Sequence, residues 1–225
     1  MVPLSVLYED NHLLVINKPA RLPVMGAAEG HDSLLHRAKQ YIKQKYHKPG
    51  NVYLGVVSRL DAPVTGAVVL ARTSKAAARL SEQFRHGTVE KIYWAIVSGH
   101  VEPAQSICSD WVLKDERMRK MFVARRDAQG AKQARLSYRT VDCLSGGTLL
   151  EVKLETGRKH QIRLQLAHRG HPILGDSKYG SRAPFPRGIA LHARRLTFVH
   201  PVRKTPISLV APLPKTWREL GVVEK

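Results

Sequence analysis

Short apolar runs rich in β-branched residues recur along the chain, and they predict many strands with a few helices between them. The run at residues 13–16 ends before Lys18-Pro19, because proline lacks the N–H group that a central strand needs. Another run ends near Asp61, and the turn residues Asp61–Gly66 separate it from the next. The predicted strands cover residues 13–16, 56–60, 67–71, 92–97, 135–141, 149–154, 196–199 and 207–210.

Three segments have the apolar spacing of amphipathic helices. Ser33 is positioned to cap the first, and Thr73 or Ser74 the second, which should stop at Gly87. The third is expected from about residue 158 to residue 169. No linker, internal repeat or low-complexity tract divides the sequence. The pattern therefore predicts a single α+β domain over residues 1–225, with helices flanking a mixed, mostly antiparallel sheet.

Charge identifies the expected partner. The 225 residues are 43% hydrophobic, enough for a packed core, yet their formal net charge is +19 and their pI is about 10.3. Such an excess of positive charge favours a phosphate-rich partner. Residues 113–139 contain nine Lys or Arg against three Asp or Glu, and residues 156–195 contain nine against one. Either stretch is ordinarily a solvated face, but the imbalance favours two parts of an RNA-facing surface.

Other compartments and partners have less support. Residues 1–20 lack a secretory signal, and no run approaches the ~20 apolar residues of a membrane span. The two cysteines, Cys108 and Cys143, have neither metal-ligand spacing nor the number typical of a disulfide framework. We therefore expect a soluble, cytoplasmic protein with no membrane partner.

Three segments contain residues suited to chemistry. In Ser58-Arg59-Leu60-Asp61, strand alternation would place Arg59 and Asp61 on one face, although a lone Asp before a turn more often bonds its own backbone. Tyr93, at the start of a strand, is either a core aromatic or a platform for an extruded base. In the third segment, residues 156–180, a helix would put Arg163 on one face with Lys159 and Ala167. That face is either a solvated cationic surface or a partner for a carboxylate.

Together these segments resemble the RluA family of pseudouridine synthases. The resemblance spans about residues 8–214, in five blocks that occur in the family's order. The matching residues are Tyr8–Asn11 with Val15–Pro19; Arg59-Leu60-Asp61, Thr65-Gly66 and Ala71-Arg72-Thr73; Lys91 and Tyr93; Gly157–Arg163 with Gly170–Gly180; and Leu191–Ala193 with His200-Pro201. Two positions depart from the family pattern: Ser58 replaces a usual His, and Ala62 a frequent Arg.

The resemblance implies the pseudouridine synthase fold around a basic cleft, and a cofactor-independent, metal-independent isomerisation of uridine in ribosomal or transfer RNA. Asp61 would act on the ribose as nucleophile or base, Arg163 would pair with Asp61 and keep it charged, and Tyr93 would stack on the flipped base. Arg59 would stabilise the position that the base vacates. Further RNA contacts are expected from Lys91, Arg158, His160, Gln161 and Lys178. We also expect a monomer, without the small RNA-binding domain that precedes this core in many relatives.

Specific residues bear on the alternative functions. His168 and His171 have a ligand-like spacing, but Gly170 lies between them and no Glu completes a zinc-protease motif. No glycine-rich loop followed by Lys-Ser/Thr supports nucleotide hydrolysis. Ser58 leaves open a non-catalytic RNA-binding protein, or RNA chaperone, on the same fold. Against it, a pure RNA binder has no need for a carboxylate facing a polyanion.

Overall fold

The structure is a computed structural model that describes residues 4–26 and 32–223. Unit 1 consists of Met1–Glu90 and Ala193–Pro212, and unit 2 of Lys91–His192 and Leu213–Lys225. That residues 1–225 form a single domain stays a prediction. The described elements are, in chain order, β1 (Val6–Glu9), β2 (Leu13–Lys18), α1 (Leu34–Lys45), β3 (Gly55–Val56), β4 (Thr65–Ala71), α2 (Ser74–Arg85), β5 (Glu90–Val97), β6 (Gln105–Asp115), β7 (Lys120–Ala124), β8 (Lys132–Leu144), β9 (Gly147–Leu154), α3 (Gln161–His168), a 3₁₀ turn (Ser177–Tyr179), β10 (Leu191–Val199), β11 (Pro206–Val210) and α4 (Lys215–Arg218).

Unit 1 is organised around the antiparallel pair β2 and β4, to which β1 and β3 add at the edges. Strand β10, most of which lies in this unit, pairs antiparallel with β11. Side chains of β2 alternate between two faces, and both faces are buried. Leu13 and Val15 pack in one cluster with Leu80 of α2, while Leu14 packs in another with Ile42 of α1.

Unit 2 is a second antiparallel sheet region with one helix against it. Its strands pair in the order β5, β9, β8, β6 and β7. Leu164 of α3 packs with Val112, Met121 and Ala134 from these strands, and the cluster includes Tyr179. The predicted α+β class with mostly antiparallel pairing is confirmed, since the strand pairs within each unit run antiparallel. None of the described helices is both long and apolar enough to cross a bilayer.

The first two predicted helices are confirmed together with their caps. The Ser33 hydroxyl accepts a hydrogen bond from the His36 N–H group at 3.2 Å. Of the two candidate caps of α2, Thr73 is the one used, and its hydroxyl accepts from the Ala76 N–H group at 3.2 Å. Gly87 follows the end of α2 with φ +70°, a conformation that favours glycine.

The segment before Asp61 differs from the prediction. Instead of a strand over residues 56–60, the structure has only the two residues of β3, and residues 57–60 have no regular secondary structure. Strand β4 pairs with β2 along one edge and with β10 along the other, so β3 joins it only at its end. The prediction that Arg59 and Asp61 share a strand face is therefore wrong.

The third helix begins later than predicted. Instead of starting near Arg158, α3 starts at Gln161, because His160 has φ +53°, a left-handed conformation that an α-helix does not contain. Lys159 lies before the helix, so its predicted helical face with Arg163 is also wrong. The helix does end just before Gly170, as expected.

Gly66 allows two backbones in unit 1 to approach closely. It has φ +113°, and a Cβ atom built on it would meet the backbone of Ala193 in β10, at 2.6 Å from the amide nitrogen and closer still to the carbonyl oxygen. Neither atom can withdraw, because both belong to a strand. Only glycine satisfies the conformation and the spacing together.

Lys18, the last residue of β2, joins two turns from inside the protein. Its side chain is fully buried, and its Nζ donates to the backbone carbonyls of Pro19 at 2.9 Å, Leu22 at 2.8 Å and Ala62 at 3.1 Å. The turn after β2 is thereby tied to the loop that carries Asp61. Burial lowers the pKa of Lys18 from its ordinary 10.5 to about 7, while the charge of Asp61 opposes that shift.

Gly66→Ala should lower the free energy of unfolding by about 3 kcal/mol, through left-handed strain and overpacking against Ala193. Gly146→Ala is the matched control, because Gly146 has open space around it and no left-handed φ; its change should stay within ~0.5 kcal/mol. Chemical denaturation of both variants measures the difference. Equal, small losses of unfolding free energy in the two variants would show that β4 and β10 do not approach as described.

Lys18→Met should alter how stability depends on pH. Between pH 7 and about 10 the unfolded chain keeps a proton on Lys18 that the folded protein has released, so the free energy of unfolding rises with pH, by on the order of 1 kcal/mol per unit. The variant lacks this contribution. The free energy of unfolding, measured by denaturation from pH 6 to 10, should therefore rise with pH more steeply for the wild type than for Lys18→Met. Any constant offset from the three lost hydrogen bonds does not change this slope. The same dependence of unfolding free energy on pH in both proteins would contradict a depressed Lys18 pKa.

Candidate active site

Asp61 lies at the start of a tight turn between β3 and β4. Its backbone carbonyl accepts from the Val64 N–H group at 3.0 Å, which closes the turn over Ala62 and Pro63. The Asp61 side chain is only partly buried. The Lys18 bond to the Ala62 carbonyl holds the next residue of the same turn. The carboxylate is therefore partly accessible to solvent on a backbone that is fixed from the inside.

The charge next to Asp61 in unit 1 comes from Lys18. The three N–H groups of its ammonium are directed to carbonyl oxygens, so Lys18 acts on Asp61 through its charge and not through a hydrogen bond. Carbonyl oxygens carry no formal charge, and the charge of Asp61 favours the protonated form of Lys18.

Arg59 and Ser58 precede Asp61 in the same loop. Arg59 is exposed, whereas Ser58 is partly buried, and Leu60 packs against the core cluster on the α1 side of unit 1. Leu60 thus anchors the loop while Arg59 extends into solvent. An exposed guanidinium beside the turn is available for a phosphate or for an unpaired base, which is the role expected of Arg59.

Arg163 occupies the first turn of α3 and is buried. Its Nε and Nη2 donate to the two carboxylate oxygens of Asp176 at 2.7 and 2.9 Å. The guanidinium carbon lies 5.1 Å from the ring centroid of Tyr179. Asp176 and Tyr179 come from one short segment around the 3₁₀ turn. The predicted pairing of Arg163 with Asp61 would join the two units, and it stays a prediction.

The turn before α3 is held by Gln161. Its side-chain oxygen accepts from the Thr156 hydroxyl at 2.7 Å and from the Arg158 N–H group at 2.9 Å, and its amide nitrogen donates to the Arg135 carbonyl at 3.0 Å. Gln161 is only 3% exposed. These bonds give Gln161 a structural role in shaping the turn; the RNA contact expected of it is untested.

The remaining predicted RNA contacts are spread over unit 2. Arg158 is exposed, and its Nε donates to the Gln133 carbonyl at 2.9 Å. His160 Nδ1 lies 2.8 Å from the Tyr179 hydroxyl, and Lys178 is exposed on the 3₁₀ turn. Arg158, His160 and Arg163 are close in sequence around the start of α3, so the structure presents them on one short segment.

Lys91 and Tyr93 are two residues apart on β5, so their side chains point to the same face of the strand. Both are partly buried, and burial lowers the pKa of Lys91. Tyr93 is thus neither a fully buried core residue nor a freely exposed one. A half-exposed ring of this kind is suited to stacking on a base, as predicted for Tyr93.

Sequence reasoning assigned no role to Lys18, Asp176 or Tyr179. Their signals were nonetheless present, in Lys18-Pro19 and in the block Gly175-Asp-Ser-Lys-Tyr-Gly180. Neither signal says which atoms the side chains bind. As for metals, no group of three or more His, Cys, Asp or Glu suited to hold an ion occurs in residues 4–26 and 32–223.

Comparison with known proteins identifies the family. Residues 12–168 match the family described as RNA pseudouridylate synthase. A Zymomonas mobilis subsp. mobilis protein named ribosomal large subunit pseudouridine synthase D is 34% identical over 95% of this chain and 70% of its own length. A Xylella fastidiosa protein of the same name is 36% identical over 95% and 67%.

A solved structure extends the agreement to the fold. The structure of human RNA pseudouridylate synthase domain containing 4 superimposes with a TM-score of 0.79 at 27% identity, over 96% of this chain and 93% of that one. The fold, the family match over most of the chain and the identity with the two bacterial relatives agree with the resemblance drawn from the sequence. The chain therefore belongs to the RNA pseudouridylate synthase family and is an RNA pseudouridine synthase, an isomerase of uridine in RNA.

Proposed function

We propose that this enzyme isomerises uridine in large-subunit ribosomal RNA with Asp61 as the group that acts on the ribose, as nucleophile or as base. The single observation that supports this best is the Asp61 turn: a partly accessible carboxylate, held from within by Lys18 through the Ala62 carbonyl. The ribosomal target is proposed from the names of the two bacterial relatives. A monomer in the cytoplasm accords with such a substrate.

The reaction needs little beyond positioned side chains. The bond from uracil nitrogen-1 to ribose carbon-1′ breaks, the base turns, and ring carbon-5 bonds to carbon-1′ in its place. Carbon-5 loses its proton and nitrogen-1 gains one, so no oxidant, reductant or added group is required. Because the glycosidic bond is shielded in a stacked strand, the nucleotide must first leave the stack.

Each proposed role follows from the residue's chemistry. Asp61 acts at the ribose, and Arg163 binds its carboxylate so that it remains ionised. Tyr93 stacks on the extruded uracil and assists removal of the carbon-5 proton. Arg59, exposed beside the turn, stabilises the space that the base leaves. Lys91, Arg158, His160, Gln161 and Lys178 would contribute RNA contacts.

The basic stretch at residues 113–139 is proposed to bind the RNA backbone. It includes the β6–β7 connection, where Arg117 and Arg119 are exposed. Within the part of the chain that the structure describes, neither forms an ion pair, whereas Lys114 pairs with Glu116. Uncompensated guanidinium groups on an exposed turn are suited to phosphate contacts.

Asp61→Asn should abolish tritium release from large-subunit ribosomal RNA labelled at uracil carbon-5, with a fall of at least ~10³-fold, because amide cannot replace carboxylate as nucleophile or base. RNA affinity should persist within a few-fold. Asp32→Asn is the control, since Asp32 is an exposed carboxylate that pairs with Arg37 and has no proposed role in the reaction. Wild-type protein should release little label from transfer RNA. Full activity of Asp61→Asn would overturn the assignment, and binding without release from any RNA would favour the non-catalytic alternative.

Replacing both Arg117 and Arg119 with Ala should weaken RNA binding at low salt. The slope of log affinity against log salt concentration should become shallower by about two, since each lost phosphate contact contributes roughly one. The control replaces both Arg37 and Asp32 with Ala, which removes an exposed ion pair without changing the net charge. Equal slopes for the two double variants would show that RNA does not contact the β6–β7 connection.

A further inference from the structure

The Arg163–Asp176 ion pair lies almost fully enclosed in unit 2. The side chain of Arg163 is 6% exposed and that of Asp176 is 1% exposed. Two parallel hydrogen bonds, from Nε and Nη2, fix the guanidinium in its own plane. A buried pair of this kind is costly to form, so it requires a function or a compensating gain in packing.

Tyr179 restricts the guanidinium from a second direction. Its ring lies 5.1 Å from the guanidinium carbon, within the range of a cation–π contact. The ring is itself anchored, because the Tyr179 hydroxyl accepts from the Met121 N–H group on β7 at 3.0 Å and lies 2.8 Å from His160 Nδ1. Lys120 adds a second cation over the ring at 4.9 Å.

Backbone hydrogen bonds and close packing hold the segment that supplies both partners. The Asp176 carbonyl accepts from the N–H groups of Tyr179 at 3.0 Å and Ser181 at 3.1 Å. Gly175, with φ +80°, packs so closely that a Cβ atom there would lie 2.6 Å from Phe185 Cβ. Asp176 therefore presents its carboxylate to Arg163 in a fixed position, and Tyr179 presents the face of its ring.

We propose that Asp176 and Tyr179 are positioning residues that hold the Arg163 guanidinium in the single orientation the isomerisation uses. The inference rests on the proposed role of Arg163 and adds the groups through which that role is exerted. Because Asp176 balances the charge of Arg163, the guanidinium acts as an oriented hydrogen-bond donor more than as a bare cation. A misplacement of ~1 Å in such a group lowers the rate by up to ~10²-fold.

A double-mutant cycle tests the proposal. Asp176→Asn should lower kcat by ~10- to 10²-fold with KM for RNA changed less than about twofold, since the group acts through Arg163 and not on the substrate. In an Arg163→Gln background, Asp176→Asn should cause no further loss of kcat, because the group that it orients is gone. Additive losses would indicate a general structural role and overturn the proposal, as would an unchanged kcat for a folded Asp176→Asn variant.

A matched ion pair on the same helix provides the control. Arg169, which caps the end of α3, contacts Asp110 through Nη1 at 2.9 Å and Nη2 at 3.2 Å, and this pair is more exposed than Arg163–Asp176. Asp110→Asn should lower the melting temperature and leave kcat unchanged. An equal loss of kcat in Asp110→Asn would contradict a specific role for Asp176.

Two further variants keep the test decisive if Asp176→Asn does not fold. Tyr179→Phe keeps the ring under Arg163 but removes the hydroxyl bonds to Met121 and His160, so kcat should fall while the protein remains folded. The Arg163→Gln/Asp176→Asn double variant removes both charges together, so its melting temperature should fall less than that of Asp176→Asn alone. Asp61→Asn is assayed in parallel: an active Asp61→Asn sinks the proposed function, whereas an inactive Asp61→Asn with fully active, folded Tyr179→Phe sinks only this inference.

Discussion

The bond between the buried ammonium of Lys18 and the carbonyl of Ala62 is the constraint on which the proposed chemistry depends. A turn that carries a carboxylate toward solvent is intrinsically mobile, and catalysis needs that carboxylate in one place. Lys18 holds the turn from the protein interior, through the Ala62 carbonyl. The charge of Asp61 in turn favours the protonated form of Lys18.

Lys18 and Arg163 differ in how their charge is balanced. Lys18 contacts only neutral carbonyls through hydrogen bonds, whereas Arg163 is matched by the carboxylate of Asp176. Their proposed contributions differ accordingly: Lys18 holds the Asp61 turn through backbone carbonyls, and Arg163 supplies directed hydrogen bonds. In the proposed role of Arg163, orientation matters more than net charge, and the contacts of Asp176 and Tyr179 restrict that orientation.

The sequence predicted the helices and central strands well where packing dictates the pattern. Ser33 and Thr73 cap helices as expected, and β2 and β4 were recognised because both of their faces are apolar. Strand β6 was missed because exposed and charged residues interrupt its apolar positions. Strands β1 and β7 were missed because their apolar runs are only three or four residues long. The strand before Asp61 was overpredicted, since β-branched composition cannot reveal that β10 already occupies the edge of β4.

The site itself was predicted at the level of motifs and not of contacts. The left-handed conformation of His160 delays the start of α3, and it could not be predicted from Arg158 and Lys159, which are good helix formers. Lys18, Asp176 and Tyr179 lie in recognisable blocks, but Arg163 is 13 residues from Asp176, Met121 is 58 residues from Tyr179, and the Ala62 carbonyl is 44 residues from Lys18. Only the folded chain brings these groups together.

A crystal structure of the Asp61→Asn protein bound to an RNA that contains its target uridine is the sharpest test of Asp61 as the catalytic group. We expect an extruded uridine whose ribose lies within van der Waals contact, about 3.5 Å, of the side chain at position 61, with the Tyr93 ring against the uracil. A uridine still stacked in its strand, or seated on a surface that excludes residue 61, would contradict this assignment.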